Sequence, residues 1–115
     1  MTQPTIDPAT FDALSATAGA DFVTELVDTF LVEAPSMLAG LRDSFAAGDA
    51  ERFRRTAHSL KSNANTFGAL TLGAMAKALE LGGLAPVQHS NAAQLDEVDA
   101  EYARVATALE AKKRG

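Results

Sequence analysis

The stretch Ala57-His58-Ser59-Leu60-Lys61-Ser62-Asn63-Ala64-Asn65-Thr66-Phe67-Gly68-Ala69 decides how this chain is read. At about 100° per residue, Phe53, Ala57, Leu60, Ala64 and Phe67 fall on one narrow apolar stripe. Arg54, Arg55, His58, Lys61, Ser62 and Asn65 share the opposite side. The pattern is that of a helix that buries its stripe and holds a histidine outward among cations.

Working outward, Gly48-Asp49 supplies a helix stop followed by a cap, so the histidine helix is predicted over 50–66, with Gly68 closing it. Upstream, Phe22, Val23, Leu26, Val27, Phe30, Ala34, Met37, Leu38, Leu41 and Phe45 recur at threes and fours, which predicts one long amphipathic helix over 21–47. Pro35 lies inside it and removes the amide hydrogen that would bond Leu31, so a kink is expected near 31–35. Asp7-Pro8 starts a short accessory helix over 8–15, which Gly19 separates from the long one; residues 1–7 are expected to be flexible.

Downstream, a helix is predicted over 69–81 with Leu72, Met75, Ala76 and Leu79 inward and with Gly73 marking a close approach. Gly82-Gly83 ends it, and 84–90, with Pro86, reads as a loop. Asn91 with Gln94 has capping-box spacing, and Leu95, Val98, Tyr102, Val105 and Leu109 define a last helix, with 113–115 as a solvated tail. The segments predict an all-α fold: an antiparallel up-and-down four-helix bundle over 20–112, with the N-terminal helix as an accessory. At 115 residues the chain is expected to be one domain.

Composition narrows the function classes. Cysteine is absent, which removes thiol and disulfide chemistry, and the longest apolar runs are short, so neither secretion nor membrane spanning is expected. A net charge of −5 argues against a nucleic-acid binder. The cations are uneven, however: Arg52, Arg54, Arg55 and Lys61 are four of the ten and share one short window, which predicts a local anion site on an acidic protein. A cytoplasmic location fits these features, and Met1 with the basic tail points to a free-standing protein.

Arg54 and Lys61 lie within a turn of His58, and like charges beside an imidazole favour its neutral, nucleophilic form. Such a ring can accept a phosphoryl group, whose charge Lys61 and Arg54 could screen, while the small Ser62 leaves room for an incoming surface. His89 lacks any companion ligand at metal spacing and reads as ordinary surface. A di-metal carboxylate bundle needs Glu-x-x-His pairs aimed into the core, which the spacing does not supply.

His58, Lys61 three residues on, and Phe67-Gly68 nine and ten on resemble the signature of the histidine phosphotransfer (HPt) domain of two-component phosphorelays. Ser62 stands where that family usually has glycine. The run from Phe30 through Pro35 to Leu38 and Leu41 and the Gly48-Asp49 turn extend the resemblance to about residues 8–82. It implies that His58 is the phosphoacceptor, that Lys61 is its electrostatic partner and that Gly68 allows the following helix to approach closely. It also implies a polar side chain from that following helix beside the unreactive ring nitrogen. Glu80 and Lys77 are the candidates, Glu80 the better because a carboxylate fixes the tautomer. Asn65 is expected to face a partner.

The same resemblance implies a carrier that is not an enzyme, exchanging a phosphoryl group between aspartates of response-regulator receiver domains and working with a sensor or hybrid histidine kinase. No glycine-rich phosphate loop is present, so neither ATP binding nor a cofactor is expected; the divalent metal would sit on the receiver. A monomer is expected. The alternative is a non-phosphorylated docking module using the same face.

Overall fold

The computed structural model describes residues 5–90 and 92–114, with the side chain of Arg114 excepted, and among these every regular element is helical. The elements are α1 (Pro8–Ala18), α2 (Ala20–Ala47), α3 (Ala50–Thr66), α4 (Leu70–Gly82), α5 (Leu84–His89) and α6 (Ala93–Arg114). No helix among the described residues is long and apolar enough to cross a membrane.

The caps explain the boundaries. Asp7 accepts the amide of Thr10 at 3.1 Å and its hydroxyl at 2.5 Å, with Pro8 in the first turn. The helix continues to Ala18 instead of stopping at residue 15, because nothing before Gly19 opposes it. Residues 6 and 7 are not loose either. Ile6 and Phe11 hold the positions of a hydrophobic staple and both are buried, and the Asp7 amide donates to the Gly68 carbonyl at 2.8 Å.

α2 runs unbroken through Pro35. Val27, Phe30, Ala34 and Leu41 are buried on both sides of the proline, and this continuous stripe holds the helix together where one backbone bond is missing. Pro35 itself is exposed, where water can bond the carbonyl that loses its donor. Phe22, expected on the inner stripe, is 52% exposed, because Val23 and Val27 take the inward positions.

α2 ends and α3 begins within two residues. Gly48, at φ 68°, donates to Phe45 at 3.1 Å, while Asp49 donates to Ser44 at 2.9 Å and then caps the amide of Arg52 at 3.0 Å. The same device closes α3: Gly68, at φ 83°, donates to Asn65 and Ala69 donates to Ala64. A Cβ on Gly68 would lie 2.9 Å from the Asp7 carbonyl oxygen and 3.0 Å from the Thr10 Cβ. The close approach that Gly68 permits is therefore that of the segment leading into α1, not that of α4. Gly68→Ala is expected to cost at least about 1–2 kcal/mol for the left-handed backbone alone. A urea midpoint equal to the wild type would contradict this reading of the turn.

The predicted loop over 84–90 is instead α5. Pro86 is tolerated because it falls in the first turn, where its amide would have had no helical acceptor. Asn91, half of the expected capping box, lies outside the described residues. α6 starts at Ala93 and continues through Lys113, whose ammonium pairs with Asp28 on α2 and lies 3.8 Å from Glu110. Lys112 sits 5.4 Å above the Phe11 ring. Lys112 and Lys113 are thus docked against α1 and α2.

α3 packs against both α2 and α4, and α6 closes on the same two helices. Phe30 of α2 meets the Phe67 ring at 5.4 Å and the Tyr102 ring of α6 at 6.0 Å. Arg42 reaches Asp96 at 2.8 Å and Asp99 at 2.5 Å across the α2–α6 seam. Phe53, Leu60, Leu72, Val105 and Leu109 fill the interior. Glu101, on the inward side of α6, is buried and held by Arg104 one turn on.

Candidate functional site

The histidine helix behaves as its pattern dictates: Phe53, Ala57, Leu60 and Ala64 are buried to the last few percent, and His58 is left 55% exposed on the outer side. α4 returns alongside α3 at very short range. Gly73 makes this possible, since a Cβ there would overlap the Asn65 side chain, its Oδ1 only 2.0 Å away. Asn65 is thus exposed but lies over the backbone of α4.

This approach carries Glu80 to the histidine. Glu80 Oε2 lies 2.7 Å from His58 Nδ1, and Oε1 lies 2.7 Å from Lys61 Nζ, so one carboxylate holds both side chains. Only 12% of the Glu80 side chain is exposed, against more than half of the ring. The ammonium of Lys61 and then the ring of His58 hold the Glu80 carboxyl below the usual glutamate range. Because its folded value is depressed, the stability this clamp contributes is fully present above the ordinary glutamate value and is lost as pH falls through the depressed one.

An ionised carboxylate can only accept, so His58 Nδ1 must be the donor. In the neutral ring the remaining nitrogen, Nε2, then carries the lone pair. The arrangement yields an exposed nucleophilic nitrogen whose far side is fixed by a shielded anion.

Other candidate residues take different places. Lys77 is exposed and makes no hydrogen bond or ion pair among the described residues; of the two α4 candidates, Glu80 is the one beside the ring. Arg54 is bound to Glu51 one turn back, at 2.5 Å and 3.3 Å. The cations flanking His58 are therefore each matched by a carboxylate, Arg54 by Glu51 and Lys61 by Glu80, and the ring does not sit between uncompensated charges. Ser62 is exposed one turn beyond His58. Gly68 lies at the far end of α3, under the N-terminal segment. His89 is exposed on α5. No group of three or more His, Cys, Asp or Glu side chains that could hold a metal gathers among the described residues.

Two features escaped the sequence reading. Leu81, next to Glu80, is 75% exposed, and Leu70 at the other end of α4 is also outward. An outward leucine at the end of a mostly apolar helix has no distinguishing pattern. The Glu51–Arg54 pair, by contrast, had a legible signal in its spacing on one helix face.

The model of the Hpt domain family matches residues 25–111. Among solved structures, the histidine-containing phosphotransfer protein B (HptB) of Pseudomonas aeruginosa PAO1 is similar over 98% of this chain and 97% of its own, with 27% sequence identity and a TM-score of 0.86. No curated protein matches the chain.

Proposed function

The chain belongs to the Hpt domain family, histidine phosphotransfer intermediates of two-component phosphorelays, and on that premise we propose that His58 is the residue that carries the phosphoryl group. The observation that carries this reading is the exposed ring with Nδ1 held by Glu80 at 2.7 Å. The lone pair of Nε2 attacks the phosphorus of a receiver's aspartyl phosphate. The N–P bond forms as the acyl P–O bond breaks, and the aspartate leaves with the electron pair as a carboxylate. The Nδ1 proton stays in place, and Glu80 stabilises the positive charge that develops on the ring. Transfer to a second receiver aspartate is the reverse of the same step.

Lys61, one turn along the helix, supplies the cation for the incoming phosphoryl oxygens, exchanging part of its bond to Glu80 for them. Ser62 leaves the approach to the ring open. Arg54, paired with Glu51, acts at longer range, and Lys77 and Asn65 border the face that meets the partner, as do the outward Leu70 and Leu81. The helix neighbours described above support a fold in which α2, α3, α4 and α6 form an up-and-down bundle and α1 is an accessory. The working form is a cytoplasmic monomer.

The reading is tested by incubating the protein with phosphorylated receiver domains. The expected result is label on the protein that survives alkali and is lost in acid; no transfer from any receiver of the source organism would end it. Glu80 is a positioning residue, and its variants separate orientation from mere structure. Glu80→Ala is expected to slow phosphoryl acceptance by about ten- to a hundredfold. Glu80→Gln, which keeps an acceptor oxygen for the Nδ1 hydrogen but loses the charge that stabilises the ring and holds Lys61, should fall between the wild type and Glu80→Ala. Ring ¹⁵N chemical shifts provide the independent readout. They should show the Nδ1–H tautomer in the wild type and in Glu80→Gln, and a mixture in Glu80→Ala; a mixture already present in the wild type would contradict the assigned role.

A further inference from the structure

Arg52, Arg55, Thr56 and Ser59 line one shallow hollow on α3. They are spaced at three, four and seven residues, so they form a single stripe beside the one that bears His58. Two guanidinium groups and two hydroxyls make a surface that donates hydrogen bonds to anions. Its charges are largely uncommitted. Arg55 is 67% exposed and reaches Glu51 only at 4.0 Å, the limit of an ion pair, and the Arg52 side chain has no ion pair among the described residues. Nor does helix stability account for Arg52, since a cation in the first turn opposes the helix dipole.

On a chain of net charge −5, this is an exposed positive stripe adjoining the proposed phosphoacceptor. We propose that the Arg52–Arg55 stripe docks the acidic side chains bordering the phosphoaspartate pocket of the receiver domain, and so sets the encounter rate and the orientation in which His58 meets the phosphorus. Charge complementarity selects this occupant: a pocket that holds an aspartyl phosphate and a divalent cation is built from carboxylates. The acidic remainder of the chain repels the same surface. The inference rests on the phosphotransfer reading of His58, but it concerns how the partner is met, not the bond that is made.

The test uses the full chain and the double variant Arg52→Glu/Arg55→Glu, with Arg52→Gln/Arg55→Gln as a milder pair. Association with receiver domains of the source organism is followed over a salt series, and chemical phosphorylation of His58 by phosphoramidate is followed in parallel. The charge-reversed variant should associate about tenfold or more slowly at low salt, with a flattened salt dependence, and the glutamine pair should fall between. Phosphoramidate labelling should match the wild type in both. Wild-type association rates and salt dependence in the charge-reversed variant would overturn the proposal, as would a wild-type protein labelled by phosphoramidate that binds no receiver. Failure of phosphoramidate to label His58 would strike at the phosphoacceptor reading instead, while the salt series still decides the docking stripe.

Discussion

His58→Gln is expected to reduce phosphoryl acceptance from a phosphorylated receiver to below detection while leaving the fold intact. The substitution removes Nε2, the nitrogen proposed to form the N–P bond. The ring is more than half exposed and is tied to the rest of the molecule through Glu80, and a glutamine amide can donate to the same carboxylate. Its cost in stability should therefore stay within about 0.5 kcal/mol, as for most surface changes. Transfer assays with matched circular dichroism check both halves. Persistent label on the variant would move the acceptor elsewhere, with His89 on α5 the first residue to test.

Phe53→Ala should have the largest effect on stability. Phe53 is fully buried and among the largest such side chains, about one and a half turns before His58 on the inner face of α3. Truncating a buried phenylalanine costs about 3–5 kcal/mol through lost burial and the cavity left behind. Against a total of about 5–15 kcal/mol for a domain, that is a large share. The melting temperature should fall by about 10–20 °C. A drop of only a few degrees would mean that the inner face of α3 is not the centre of the core. Because α3 also carries His58 and Lys61, the same variant should lose transfer activity as it approaches its lowered midpoint.

The histidine helix was legible because three signals agree over residues 50–66: the Asp49 cap, the apolar stripe and the Gly68 stop. Each is local, so each can be read without knowing what packs against it. Glu80 was legible as a candidate only, because a carboxylate on one helix and a ring on another are joined by tertiary packing that Gly73 permits and no local pattern states. The errors share that origin. Residues 84–90 contain a proline and follow two glycines, yet form α5, because Pro86 falls where no amide is needed. Periodicity puts Phe22 and Val23 together on the apolar face, and only the packing decides that Val23 is the one turned inward. The family resemblance sets Gly68 against α4, yet the backbone it accommodates is that of Asp7, in a segment that no local pattern ties down.

In the phosphotransfer proposed for His58, Glu80 holds the Nδ1 hydrogen and thereby directs phosphorylation to the other ring nitrogen. Heteronuclear NMR of the ¹⁵N-labelled protein, recorded after transfer from a phosphorylated receiver and at alkaline pH where the N–P bond survives, tests this most directly. Phosphorus coupling is expected at Nε2 of His58, with Nδ1 unsubstituted. Coupling at Nδ1, or on any residue other than His58, would contradict it.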